Sequence, residues 1–268
     1  MPLRSPAAAP MSLPQSRHPL RDLRVRLRHA GRICVFSGAG MSAESGIPTF
    51  RDAQTGLWAR FDPMQLASAE GFRADPAQVW DWYAMRREGV RQAQPNAGHV
   101  ALAAYARRHP GRLRIVTQNV DDLHQRAGCA EVIRLHGDIL ADRWLDPCAH
   151  AGAADAPVCE VDPAAPDARP PRCRHCGNLL RPAVVWFGEN LPYDALTAAE
   201  AAVSEADVLL VVGTSGSVWP AAGLVARARH AGAHVVIINP QATEIDEEAH
   251  LVLSATAARM LPRLFDPL

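Results

Sequence analysis

Four short apolar runs punctuate the chain: RICVFSG at 32–38, LRIVTQN at 113–119, DVLLVVGTS at 207–215 and HVVIINP at 234–240. Each is rich in β-branched residues and stops at a polar or glycine turn. Hydrophobicity that is continuous rather than alternating predicts strands covered on both faces, as in a parallel sheet. Ala-rich helical stretches, Leu196–Glu205 and Ala221–His230, lie between the later runs, so strands and helices alternate. A fifth strand is predicted in EVIRLHG, 131–137. In such sheets ligands bind beyond the carboxyl ends of the strands, and those ends here carry SGAG, TQNVDD, LHGD, GTS and INP.

Two stretches break the alternation. Residues 56–110 are helical in character, with Trp80, Trp82 and Tyr83 in one short run, while 142–181 are rich in Pro, Ala and Cys and include CRHCGNLL at their end. The predicted fold class is therefore α/β: a Rossmann-like doubly wound parallel sheet with a small lobe made of a helical module and a zinc-ribbon-like module. The large lobe is placed at about 31–55, 111–141 and 182–268, and the small lobe at 56–110 and 142–181. Residues 1–30, with Ala, Pro, Arg and Ser abundant and no acid before Asp22, are expected to be a flexible arm, and Met11 is an alternative start.

Charge narrows the function. Lys+Arg and Asp+Glu are 28 each, which gives no net field toward nucleic acid or an anionic membrane, and no apolar run is long enough to span a bilayer. Small molecules or peptide segments are the expected partners of a monomeric cytoplasmic protein. The sequence contains no lysine, which removes a Walker-A lysine, a Schiff-base lysine and a Ser-Lys dyad. The six cysteines read as thiols or metal ligands rather than as a disulfide framework.

Residues 34–52, CVFSGAGMSAESGIPTFRD, resemble a dinucleotide turn, but the third glycine is Gly46, so the spacing is not G-x-G-x-x-G. Gly38 and Gly40 would let the backbone approach a pyrophosphate, and a following helix start would favour its charge. Gln118, Asn119, Asp121 and Asp122 follow a buried strand, where amides and carboxylates can bond a ribose or a carboxamide. His136, at a strand end on the same edge, is a candidate general base.

GAGMSAESGIPTFRD, TQNVDDLH, LHGD, CxxCG followed by LRPAVVWFGE, GTSGSV and INP occur in the order of the sirtuins, NAD-dependent protein deacylases. The resemblance covers about 32–268 and is closest to the sirtuins that remove succinyl and malonyl groups. It implies that Gly38, Ala39, Gly40, Ser42, Ala43, Thr49, Phe50 and Arg51 line NAD, with Gln118 and Asn119 on the nicotinamide ribose and Asp121 near the carboxamide. Gly213, Thr214, Ser215, Asn239, Pro240, Gln241 and Ala257 would complete the nucleotide site. Val185, Phe187 and Gly188 would belong to an exposed strand that pairs with an acylated peptide. The implied chemistry is attack of the acyl oxygen on the ribose carbon as nicotinamide leaves, with Asn119 and His136 as the catalytic pair and neutral His136 deprotonating a ribose hydroxyl. Products would be the free lysine, nicotinamide and O-acyl-ADP-ribose. Protein ADP-ribosyltransfer and NAD sensing without turnover stand as the alternatives.

The sequence departs from the family where the first zinc cysteines are usual, since Trp144 stands in that region. Cys148, Cys159, Cys173 and Cys176 form the expected structural zinc set, in an unusual spacing. Tyr83 and Arg86 lie three apart on one predicted helix face. In this family such a pair marks a preference for acidic acyl groups, and the small Ala53 would leave room for the longer chain.

Overall fold

The computed structural model describes residues 18–48, 62–147 and 158–265. In chain order the elements begin with α1 (Pro19–His29) and β1 (Ile33–Ser37), followed by two short 3-10 turns, Ala39–Met41 and Ala43–Ser45. Next come α2 (Pro63–Leu66), α3 (Ala69–Ala74), α4 (Pro76–Gln92), α5 (Ala97–Arg108), β2 (Leu113–Thr117) and α6 (Leu123–Ala127). The chain continues through β3 (Val132–Arg134), β4 (Gly137–Trp144), β5 (Leu180–Val184), α7 (Tyr193–Ser204), β6 (Val208–Val212) and α8 (Gly223–His230). It closes with β7 (His234–Ile238), β8 (Leu251–Leu253) and α9 (Ala257–Phe265).

Six strands form one sheet in the order β3-β2-β1-β6-β7-β8, and each neighbouring pair is parallel. The four long apolar runs are its centre, and the five residues of β1 and of β6 are all buried. One face packs Val35, Ile115 and Leu210 against Leu23 and Leu27 of α1, Leu102 and Tyr105 of α5, and Leu261 and Leu264 of α9. The opposite face packs Phe36, Leu209 and Val211 against Ala202 and Val203 of α7 and Leu224 and Val225 of α8. Burial on both sides explains why the strands read as unbroken apolar runs.

A second core lies apart from the sheet. There β4 and β5 pair antiparallel, and Leu66, Phe72, Val79, Tyr83, Ile139, Val184 and Trp186 pack together. Asp75 accepts the Gln78 amide at the start of α4, where Pro76 opens the first turn and the missing N–H costs nothing.

Three differences from the sequence reading stand out. Residues 19–29 are not part of a flexible arm: α1 carries a buried leucine at each of 23 and 27, four apart on one face, so its arginines point outward while the helix joins the core. Helix α5 belongs to the sheet rather than the small lobe, because its Leu102–Tyr105 face is apolar toward α9. The ribbon begins earlier than 142, since Ile139 of β4 already sits in the small-lobe core.

Candidate functional site

Two turns interlock at the carboxyl ends of β1 and β6. The Gly38 amide donates to Val212 O at 2.9 Å and the Gly40 amide to Gly213 O at 2.8 Å. A Cβ on Gly40 would lie 2.7 Å from Gly213 Cα, and Gly213 itself has φ +62° with Met41 N 2.4 Å from where its Cβ would be. The glycines thus let two backbones touch. These two amides are taken up by Val212 and Gly213 at the end of β6.

Beneath the turn, Ser42 donates to Asp121 Oδ2 at 2.9 Å and accepts from Asn119 Nδ2 at 3.1 Å. Asp121 Oδ1 also takes the Leu123 amide at 3.0 Å. Burial pushes the Asp121 carboxyl up, against the lowering effect of these donors. Gln118 donates to Thr214 Oγ1 at 3.1 Å, tying the β2 and β6 ends together. The Asn119 amide donates to Thr117 Oγ1 at 3.0 Å. Asn119 is 7% exposed, so one side of its amide is already held by protein.

His136 stands at the start of β4. Its Nδ1 lies 2.9 Å from Gln118 O; a carbonyl only accepts, so Nδ1 carries the proton and Nε2 keeps the lone pair. Burial lowers its pKa, opposed by that hydrogen bond, and the ring is neutral at pH 7. The tautomer and charge are those a general base needs.

At the end of β7, the Asn239 side chain donates to Gln241 O at 3.0 Å, and Ser254 Oγ donates to Pro240 O at 3.3 Å. Ser215 accepts the Ser217 amide at 3.4 Å. Ala257 opens α9, and the next amide, of Ala258, donates to Glu44 at 2.9 Å, so the first turn and the last helix are joined. The nucleotide-site residues expected on β1, β2, β6 and β7 therefore lie at one sheet edge. Thr49, Phe50, Arg51, Ala53 and Cys148 lie outside the described residues.

Several contributors went unread in the sequence. Asn96 caps α5 and donates to Met41 O at 2.8 Å and Ser45 Oγ at 3.1 Å, so it holds the glycine turn from below. Arg134 donates to Val120 O at 2.8 Å and Asp121 O at 3.1 Å while paired with Asp138 at 2.7 Å, which staples the loop after β2. His124 contacts Ser37 Oγ at 3.0 Å, and its ring lies 4.8 Å from that of His99. Burial lowers His99 to about 4, and burial with the neighbouring His99 lowers His124 to about 3. The only sequence signals were an Asn three residues before a His at a helix start, which is a capping pattern, and a His after TQNVDD.

On the small lobe, Trp186 Nε1 donates to Tyr83 Oη at 2.9 Å. The Arg86 guanidinium lies 4.5 Å over the Trp82 ring and 5.4 Å over the Tyr83 ring. Tyr83 and Arg86 come together as the helical spacing requires. The segment after β5 is not the exposed strand expected from Val185, Phe187 and Gly188. Regular pairing stops at Val184, and the amides of Val185 and Phe187 donate to His136 O and Ala67 O at 2.9 and 2.8 Å. Trp186, at 2% exposure, turns inward while Phe187 and Gly188 face solvent. Two amides of this segment are thus spent within the chain.

Cys159, Cys173 and Cys176 converge, with their sulfur atoms all within 4.8 Å of one another and Cys159 Sγ 3.7 Å from Cys176 Sγ. Burial would raise the Cys173 thiol, but donors including the His175 amide outweigh it and bring it down to about 6. Three clustered thiols, one of them poised as thiolate, fit a structural zinc ion, for which Cys148 remains the fourth candidate.

Comparison with known proteins places this arrangement. The Sir2 family profile matches residues 38–220. A Ralstonia nicotianae protein named NAD-dependent protein deacylase is 52% identical over 241 residues, covering 90% of this chain and 94% of that one. NAD-dependent protein deacylase 1 of Pseudomonas aeruginosa is 50% identical, covering 89% and 94%. Among solved structures, a Sir2 homolog–NAD complex has TM-score 0.78 at 42% identity, covering 91% of both chains. Sir2Tm bound to a propionylated peptide has TM-score 0.76 at 29% identity, covering 92% of this chain and 97% of that one.

Proposed function

The chain belongs to the Sir2 family, and on that premise we propose that it is an NAD-dependent protein-lysine deacylase that prefers succinyl and malonyl groups to acetyl. NAD, when bound, supplies the ribose carbon that accepts the acyl oxygen and the leaving nicotinamide. The protein's part is local. Asn119, oriented by Ser42 and Thr117, faces the edge where that ribose would lie. His136 Nε2, left unprotonated by the Gln118 contact, takes a proton from a ribose hydroxyl at neutral pH.

One observation carries the acyl preference. Arg86 is a half-buried cation stacked on aromatic rings, and no carboxylate pairs with it among the described residues. Burial lowers its pKa, opposed by the charge and hydrogen-bonding of Tyr83. A planar guanidinium beside a phenol offers a carboxylate a fork and a lateral hydrogen bond. A succinyl or malonyl chain ends in that carboxylate; an acetyl group does not.

A panel of acetyl, malonyl, succinyl and long-chain acyl-lysine peptides with NAD tests the reading. Succinyl and malonyl peptides are expected to have the highest kcat/KM, with nicotinamide release dependent on the peptide. Arg86→Met should lower the succinyl-to-acetyl ratio by about 30-fold or more, since an unpaired buried carboxylate costs about 2–5 kcal/mol. Equal losses on both peptides would remove the acidic-acyl assignment. Label retained on protein, or no nicotinamide release, would favour the transferase or the sensor.

A further inference from the structure

We propose that Trp186 is a specificity-determining positioning residue: its indole N–H fixes the hydrogen-bond polarity of Tyr83 so that the phenol proton is directed at the acyl carboxylate. The inference rests on the acidic-acyl reading above and extends it to a residue that does not itself reach the charge.

An indole nitrogen can only donate. The 2.9 Å contact from Trp186 Nε1 therefore makes Tyr83 Oη the acceptor, and the hydroxyl proton has to point elsewhere. Arg86, beside the same ring, has donors and no acceptor, so the proton cannot be spent there. Tyr83 is 2% exposed, and no described residue accepts its proton. A buried hydroxyl surrounded by donors needs an acceptor, and a carboxylate supplies one.

The polarity holds only if the indole cannot turn. Three contacts fix it. The Trp186 amide donates to Glu189 Oε2 at 2.9 Å. The fully buried Arg181 guanidinium lies 3.5 Å over the Trp186 ring and is bound to Glu189 at 2.7 and 2.9 Å. Phe72 covers the ring with centroids 5.2 Å apart. Arg181 also donates to Val184 O at 2.7 Å, which anchors the clamp to β5.

The test removes the donor and keeps the shape. Trp186→benzothienylalanine exchanges the N–H for sulfur in a ring of similar size. Its succinyl-to-acetyl ratio of kcat/KM is expected to fall about 10-fold, the worth of one hydrogen bond to a charged group, and the loss should reside in the succinyl KM. In a Tyr83→Phe background the same exchange should add less than about 2-fold, because the hydroxyl it orients is gone. Trp186→Phe and Glu189→Gln should move the ratio in the same direction. Additive losses across the Trp186 and Tyr83 changes, or equal losses on both peptides, would overturn the proposal. If Arg86→Met lowers the ratio and the benzothienyl exchange does not, the assignment of Trp186 fails alone. If Arg86→Met leaves the ratio unchanged, the acidic-acyl reading fails and takes this inference with it.

Discussion

At the carboxyl edge of the sheet, polar side chains are bonded to one another; on the lobe face of α4, one cation has a phenol and aromatic rings beside it and no carboxylate partner among the described residues. Asn119 and Asp121 are linked through the Ser42 hydroxyl, and Gln118 both receives from His136 and reaches Thr214. On α4, Arg87 is used up by Ile139 O at 2.6 Å, Ala141 O at 3.1 Å and Asp142 at 2.5 Å, whereas its neighbour Arg86 rests on rings. The contrast teaches a division of labour. On the proposed reading, a reaction common to every substrate is served by preassembled geometry, while recognition of one acyl group is left to donors whose final partner arrives with the ligand.

The largest effect that would sharpen this contrast falls on the lobe's own integrity. Structural zinc in small modules supplies on the order of 10 kcal/mol at neutral pH, so a chelator should unfold the ribbon while the six-stranded sheet stays folded. Calorimetry should show the lobe transition lost first, and elemental analysis should find one zinc per chain. Well below one equivalent in active protein would remove the metal from the account.

His136→Ala comes next. Loss of a positioned base should lower acyl transfer about 1,000-fold, and a preassembled edge requires the loss to appear in kcat with NAD binding held within a few-fold. A parallel loss of NAD affinity would mean the edge depends on His136 for its shape. Gly40→Ala should be milder, at about 1–3 kcal/mol of overpacking against the Gly213 backbone, read as a lower Tm and a higher NAD KM. If NAD KM stays put, the interlocked turn is scaffolding only.

Acid should reveal the smallest effect per step, again on the sheet side. His99 and His124 are held neutral by burial at about 4 and about 3, below their unfolded value near 6.5. Below pH 6.5 the unfolded chain therefore binds more protons than the native one, and stability falls as pH falls. Each histidine should remove about 1.4 kcal/mol per pH unit until its own folded value is reached. Urea unfolding from pH 7 to pH 5 measures it, and His99→Phe should flatten the slope. An unchanged slope would show that His99 is not the group responsible.

Much of the sheet was legible because strands buried on both faces leave an unmistakable apolar signature: four of the six were read from it, and β3 was read as well, in EVIRLHG. The three-residue β8 left too short a run. Helix α1 was missed because arginines and prolines dominate its composition, while only Leu23 and Leu27 carry its packing. At the site, motif order brought His136, Gln118 and Asn119 to one edge correctly. Asn96 announced itself only as a helix cap, because its bonds to Met41 and Ser45 reach residues far away in the chain, whereas Arg134 and Arg181 went unread although part of their bonding is local. The three converging cysteines were legible because thiols at C-x2-C spacing have few other uses.

Among the described residues arginine serves as the staple at 134, the clamp at 181 and the saturated anchor at 87, and on the proposed reading as the fork at 86. With no lysine in its sequence, the enzyme contains none of the side chain on which it acts. Reactive acyl donors that modify lysines elsewhere find no such target here, so its charge and its ion pairs do not drift with the acylation state of its surroundings. The catalyst stays outside the pool of modified side chains that it edits, and it cannot compete with its own substrates for its active site.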